Sequence, residues 1–324
     1  MTRAVVVDLS AVVLALAPDE EQDGGRAAHA AALVTEDGRL PTVTFDPDSQ
    51  RTLELTLRDR VRADAGLDLG YVEQLYTFGD SARRAEGGDA AAPHAVSIGY
   101  LALARRAGAP PPRHAWSRWD RYFPWEDRRP GAAQPLDALR AALADWAAED
   151  QDRADRVAAF FPEEAAAWRD ELVLDRYELL YEAGLVAEAW RDRGEETPAW
   201  AADGGGGGPG ALSTGRPLWR DHRRILATGI ARLRGKLKYR PVLFELMPRT
   251  FTLLELQRAA EAVQGVVLHK QNFRRQVERS GLVEPTGTMT SRHGGRPAAE
   301  FRFTADAGWE RVMTPVRFGG ARKG

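Results

Sequence analysis

The sequence predicts an α+β protein: a mixed β-sheet with helices and a helical insertion, then a C-terminal pair of helices with a hairpin. Three features predict it. Apolar, β-branched runs separated by turn signals fill the first hundred residues. Ala- and Leu-rich stretches with helical spacing follow, up to a glycine run at 203–210. Beyond that run the helical pattern continues and the charge changes sign. From Arg234 to the end there are 17 Lys and Arg against 8 Asp and Glu, a net of +9, whereas residues 1–233 carry a net of −11. An acidic body with a basic end points to a polyanionic partner for that end.

Composition sets the outer bounds. A chain of 324 residues has room for two or three domains. With 44% hydrophobic and 28% charged residues it has the makeup of a soluble globular protein, not of a disordered chain. The absence of cysteine excludes disulfides, thiolate metal sites and a cysteine nucleophile. The six histidines show no ligand spacing, which argues against zinc. The apolar run AVVVDLSAVVLALA is broken by Asp8 and Ser10, is too short to span a bilayer and has no cleavage pattern after it. The expectation is a cytoplasmic protein with no membrane contact.

Residues 3–16 read as strand, and AALVTEDGRLPTVTF as a hairpin turning at Glu36-Asp37-Gly38. Leu53, Leu57 and Val61 give a helix one apolar face, and Gly66 ends it. YVEQLYTFGD and HAVSIGYLALA are strands on either side of a polar loop. GAPPPRH is then a stiff connector to WSRWDRYFPW, five aromatics in ten residues, best explained by packing of the insertion onto the sheet. Helical patterns follow over 136–149, 151–170 and 172–192. After the glycine run, Leu226, Ile230, Leu233 and Leu237 make one apolar stripe on a helix. The expected domains are 1–107, an insertion at 108–210, a completing and linking helix at 211–240, and a C-terminal domain at 241–324.

The C-terminal domain is the most informative. Thr252 and Glu255 form a capping box, and Leu253, Leu256, Ala260 and Val263 are the buried face of the helix it opens. A short turn leads to HKQNFRRQVERSG, a helix buried at Phe273 and Val277. Its other faces carry Lys270, Gln271, Asn272, Arg274 and Arg275. Two strands follow, with Arg292, His293 and Arg296 at the tip between them. Together these make a winged helix-turn-helix. In that arrangement the second helix enters the major groove, where Arg and Lys bond guanine edges and Gln and Asn bond adenine edges. Arg292 and Arg296 would meet phosphate or the minor groove.

The stretch from Phe45 to Leu67 keeps the frame of a Nudix box without its chemistry. That box places glutamates one turn apart on a helix, so their carboxylates converge on magnesium beside a pyrophosphate. Here Val61, Gly66 and Leu67 hold the apolar and glycine positions. Phe45 stands at the first glycine, Arg51 at the first glutamate, Asp59 at the arginine and Arg60 at the next glutamate. Ala63 and Asp64 replace the paired glutamates, so Asp64 alone keeps a carboxylate. YVEQLYTFGD with VSIGYLALA, and YRPVLFELMPRTFTLLELQRAAEAVQG with NFRRQVERSGLVEPTG, resemble the NrtR family, the Nudix-related transcriptional regulators of NAD metabolism. The resemblance covers about 40–105 and 215–303. It implies a Nudix-like sheet domain that binds ADP-ribose or a related NAD-derived nucleotide as effector, with no cofactor and no catalysis. It further implies a winged helix that binds double-stranded operator DNA near NAD-biosynthesis genes, and a homodimer. The insertion and the long N-terminal hairpin depart from the family pattern.

A retained cleft would lie where the sheet strands meet the box helix, with Phe78 stacking on a base and Arg83 and Arg84 meeting a pyrophosphate. Two competing readings are an ADP-ribose hydrolase with displaced catalytic residues and an adaptor whose winged helix binds protein.

Overall fold

The computed structural model describes residues 5–18, 28–79, 93–105, 113–130, 136–202, 212–238, 242–291 and 297–304. The sheet is built from β1 (Val5–Pro18), β2 (Ala28–Thr35), β3 (Thr42–Thr44), β4 (Val72–Phe78), β5 (His94–Leu103) and β6 (His114–Arg118), with α1 (Leu53–Ala65) between β3 and β4. Its order is β4-β5-β1-β2-β6, and β3 also pairs with β1. It is mixed, as expected: β1 and β5 run parallel from Val5↔His94 to Leu14↔Leu103, and the other pairs are antiparallel.

The turn expected at Glu36-Asp37-Gly38 is present, closed by Thr35 N–H on the Arg39 carbonyl at 2.8 Å. The strands it joins do not form a hairpin with each other. Both pair with one edge of β1, β2 at Leu14↔Ala32 and β3 at Asp8↔Thr44. Pro41 makes the crossing: it has no N–H to give a partner strand, and its carbonyl accepts from Ala11 N–H at 2.8 Å.

Alternation along β1 sorts its two faces. Leu9, Ala11 and Val13 pack with Leu57, Val61 and Ala65 of α1. Thr52 caps that helix by accepting from Leu55 N–H, and Gly66 closes it in the left-handed region. Val12 and Leu14 face the other way, into a second cluster. There α7 (His222–Leu237) lies so close that a Cβ on Gly229 would sit 2.6 Å from Val12 Cγ1. Glycine is required at that contact.

The segment expected as a wholly helical insertion opens with a strand: β6 pairs with β2, Leu33↔Trp116. Five residues that include His114, Ser117 and Arg118 give no readable alternation. The aromatic run then passes through two short 3-10 turns and buries Trp119, Tyr122, Phe123 and Trp125. The helices that follow are α2 (Leu136–Ala147), α3 (Gln151–Phe160), α4 (Val173–Glu182), α5 (Ala187–Arg193) and the short α6 (Ala199–Ala202). The expected 151–170 helix ends at Phe160 because Pro162 disfavours helical backbone at the residue before it. The expected 172–192 helix breaks at Gly184, which has φ +72°.

The stripe expected on α7 is buried, and so is much of the remainder of the helix, including Arg223 and Arg234. The insertion covers the second face. Each buried arginine finds a carboxylate: Arg223 meets Glu188 at 3.2 Å, and Arg234 meets Glu126. Arg176 of α4 also meets Glu126, at 2.6 Å. Glu126, Arg176 and Arg234 are fully buried. Burial by itself would raise the Glu126 carboxyl, but the two guanidinium groups outweigh it and hold the group below its ordinary value.

The C-terminal domain contains α8 (Leu253–Gln264), α9 (Lys270–Ser280), β7 (Val283–Thr290) and β8 (Ala298–Phe303). The capping box is formed, with both reciprocal bonds between Thr252 and Glu255. Phe251 bridges to Phe301, adding a third short strand contact to the β7–β8 hairpin. The domain is docked against the sheet: α8 packs on β2, and Ala259, Ala260 and Val263 share one core cluster with Ala30 and Ala32. At the end of α8 the carbonyl of Gly265 accepts from Arg128 N–H at 2.7 Å. Gly265 has φ +68°, and a Cβ there would lie 2.0 Å from the Glu126 carbonyl oxygen. Among the described residues no helix is long and apolar enough to cross a membrane.

Glu126→Gln is expected to destabilise the protein by about 3–5 kcal/mol in urea unfolding at neutral pH, because it leaves two buried guanidinium groups uncompensated. The sign of the pH effect follows from the lowered carboxyl. Its stabilisation is present above the unfolded value near 4.5 and is lost as pH falls through the folded one. The parent should therefore lose stability more steeply than Glu126→Gln below that value. Parallel acid-side slopes in the two proteins would contradict this.

Candidate functional site

Two regions concentrate chemistry. The first is the outer face of α9. Phe273 and Val277 are its buried residues and fix the helix against the domain. Lys270, Gln271, Asn272, Arg274 and Arg275 are all exposed. At 3.6 residues per turn, Lys270, Arg274 and Glu278 form one row, and Gln271, Arg275 and Arg279 the next. The face thus carries four cations against one carboxylate. Arg275 donates to Asn272 Oδ1 at 3.0 Å, so the two polar groups are held together before any partner arrives. Beside the helix, the β7–β8 hairpin is tied by Arg302 to Glu284 at 2.8 Å. Arg292 and Arg296 lie outside the described residues.

The second region is a cavity of about 670 Å³ on the other side of the molecule's core. It lies where β1 and β3 meet α1, and α7 and β6 close it from the far side. Asp8 and Ser10 of β1 line it. Ser10 shares hydrogen bonds with Ser97, at 3.1 Å, and Thr42, at 3.3 Å. Across the cavity stands Trp219, with the guanidinium carbons of Arg39 and Arg220 each 4.2 Å from its ring centroid. Thr35 donates to Asp37 Oδ1, and Arg39 adds its charge at 2.5 Å; together they hold the Asp37 carboxyl below its ordinary range. Asp37 in turn anchors Arg39. His222, at the start of α7, accepts from Leu40 N–H at Nδ1, at 2.9 Å, which leaves its proton on Nε2.

Backbone conformation also marks this cavity. Arg113 and Arg220 line it, and they are the non-glycine residues with positive φ among those described, at 69° and 48°. Holding a side-chain-bearing residue in the left-handed region costs about 1–2 kcal/mol. Both are held by their own carbonyls: Arg113 accepts from Glu36 N–H, and Arg220 from Arg191.

The box helix reaches the cavity through Arg60 and Asp64. Arg60 Nε lies 2.6 Å from Asp64 Oδ2. The Asp64 carboxylate thus already has a counter-charge from the arginine one turn before it on α1. Among the described residues no group of three His, Asp or Glu side chains comes together to hold a metal ion. The residues present do not fit the divalent cation that an intact box would carry.

The structure separates the sequence candidates for this cleft. Phe78 does not line it. Its ring fills the space over Gly99, where a Cβ would meet Phe78 Cε2 at 3.1 Å and Ile225 of α7 at 3.3 Å. Phe78 belongs to the core because the opposite strand has no side chain at that point. Arg83 and Arg84 lie outside the described residues. Trp219, Arg39, Arg113 and Arg220 were missed. They come from separate segments, and no spacing in one stretch of sequence marks them. The dipeptide Trp219-Arg220 just ahead of a helix was the sole local signal.

Residues 243–303 match the family model described as the NrtR DNA-binding winged helix domain. Over 83 residues, 26% of its length, the chain is 42% identical to the ADPR responsive transcriptional repressor NtrR of Acinetobacter baylyi. That match spans 33% of the relative, so the chain covers about a third of the curated protein it resembles. The fold as a whole resembles the crystal structure of Shewanella oneidensis NrtR, with a TM-score of 0.52 and 18% identity over 95% of this chain and 99% of that one. Residues 243–303 are thus similar to the NrtR winged helix domain, and the fold is the Nudix-like sheet plus winged helix that the sequence resemblance implies.

The two faces of α9 should separate in stability measurements. Arg275→Ala is expected to change unfolding free energy by no more than about 0.5 kcal/mol, as for an exposed side chain. Phe273→Ala should cost about 3–5 kcal/mol, since its ring is buried. Equal effects of the two substitutions would mean that the helix is seated on a different face.

Proposed function

We propose that the protein is a transcriptional regulator, a repressor of NAD-biosynthesis or salvage genes, that binds operator DNA through its winged helix and senses ADP-ribose or a related NAD-derived nucleotide in the Trp219 cavity. The observation that carries the DNA reading is the outward face of α9, where Lys270, Arg274 and Arg275 stand beside Gln271 and Asn272 on a helix anchored from behind by Phe273 and Val277. Those side chains have the donors and acceptors that read guanine and adenine edges. The match of residues 243–303 to a DNA-binding domain family supports it. The relative's name, an ADPR responsive repressor, supports the effector class. The cavity suits such a ligand: Arg39 and Arg220, stacked on Trp219, offer planar cations, and Asp8, Ser10 and Ser97 offer partners for sugar hydroxyls. Arg83 and Arg84 stay candidates for the pyrophosphate, because Ser97 on the strand they precede lines the cavity. A homodimer reading two half-sites from the cytoplasm completes the proposal.

The protein is read as a sensor with no turnover. The Arg60–Asp64 pair supports this, since the remaining box carboxylate already has its counter-charge. Incubated with ADP-ribose and magnesium, the protein is expected to release AMP no faster than a blank. Release abolished by Asp64→Ala would restore the hydrolase reading.

DNA recognition is tested by anisotropy with operator and scrambled duplexes across a salt series. Removing a base-reading residue, Arg275→Ala or Arg274→Ala, should cost about 1–3 kcal/mol on operator and relax specificity. Removing Arg292 or Arg296 should weaken both duplexes alike and lower the salt slope by about one unit per lost phosphate contact. If Arg275→Ala and Arg296→Ala both leave affinity and slope as in the parent, DNA is not what this surface meets. Affinity indifferent to salt would favour a protein partner.

A further inference from the structure

We infer that the cleft neutralises the diphosphate of its ligand with guanidinium groups in place of a divalent cation, and that Arg60 is the residue standing in for the metal; the inference rests on the nucleotide reading of the Trp219 cavity. Arg60 and Asp64 are one turn apart on α1 and both line the cavity. The closest approach of Arg60 to Asp64 is from Nε, at 2.6 Å, and the arginine side chain is 47% exposed. A guanidinium has five donors in a planar fork, so Arg60 can hold Asp64 and still present donors to an anion. Asp64 thereby orients Arg60 and is itself spent as a metal ligand.

A magnesium ion needs near-octahedral oxygen ligation. The other carboxylates of the cavity are Asp8, Glu36 and Asp37, and two of them hold partners. Asp8 accepts from Thr44 Oγ1 at 2.7 Å, and Asp37 holds Thr35 and Arg39. A divalent cation at Asp64 would also sit beside the positive charge of Arg60. An anionic phosphate meets the opposite situation. Arg60 approaches from α1, Arg39 and Arg220 from the Trp219 wall, and Arg113 from the β6 edge. Arg113 and Arg220 have left-handed backbone at these positions. Planar guanidinium forks match phosphate oxygens in pairs, which a lysine or a point charge does not.

The test is isothermal titration of the full-length protein with ADP-ribose, in excess EDTA and again with millimolar magnesium, and the same pair of titrations with inorganic pyrophosphate. The expected result is one affinity in both buffers. Arg60→Ala should weaken it by about tenfold or more, the usual loss for a hydrogen bond to a charged group. Arg60→Lys keeps the charge beside Asp64 but loses the fork, and it should also weaken binding; it gives the reading if Arg60→Ala proves unstable. Affinity that rises with magnesium, or that is unchanged in both Arg60 variants, overturns the inference. If pyrophosphate binds without metal and through Arg60 while ADP-ribose does not bind, the nucleotide assignment falls and the guanidinium site stands. If neither ligand binds, both fall.

Discussion

The side chain of Glu126 is a single buried anion on which three parts of the molecule converge. Arg176 brings the helical insertion to it, and Arg234 brings the last turns of α7. Arg234 also donates through Nε to the Val263 carbonyl at 2.8 Å, at the end of α8. The Glu126 backbone is nearly in contact with Gly265, where the winged helix turns away. Two guanidinium groups against one carboxylate leave an excess positive charge, and main-chain carbonyls absorb it. Arg176 donates to the Arg169 carbonyl at 3.0 Å, and Arg234 to that of Asp170 at 3.2 Å. Aromatic faces do the same work, with Arg176 lying 4.1 Å from the Trp168 ring centroid. A charge this deep is tolerated because every donor has somewhere to go.

That constraint explains why the C-terminal domain is held against the sheet and not tethered to it. The alanines of β2 let α8 lie close, and the shared core cluster runs through both domains. The helix α7 adds a mechanical link. It has 16 residues, about 24 Å at ~1.5 Å per residue. Trp219 and Arg220 of the cavity stand just ahead of it and His222 opens it, and Arg234, bonded to α8, stands in its last turn. The insertion clamps this helix from outside through Arg223 with Glu188 and Arg224 with Glu178.

The insertion itself has a plain physical role. It covers Leu226 and Leu233 on the second face of α7 with the aromatic cluster of Phe123, Trp125 and Tyr177. Phe123 meets Trp125 and Tyr177 edge to face, and the Arg223 guanidinium lies among all three rings. The aromatic run packs onto the sheet as expected, sharing a core cluster with Val12, Leu14, Ala30 and Ala32, and it also lines the inside of the insertion.

Sequence by itself determined what depends on local periodicity and capping. The α1 face at Leu57 and Val61, the Thr252–Glu255 box, the buried pair Phe273 and Val277 and the polar face opposite them are all set by spacing of three, four and seven, which one helix satisfies alone. Tertiary structure decided everything built from distant segments. β6 is a strand because β2 offers it an edge, and β2 and β3 share β1 because Pro41 turns between them. Arg223 and Arg234 could be read only as solvated charges until the insertion supplied Glu188 and Glu126. The cavity joins Leu40 to His222 across 182 positions, and Phe78 was lost from it to the gap over Gly99. Pairings of that separation are chosen by which surfaces bury together, and no window of sequence contains both halves.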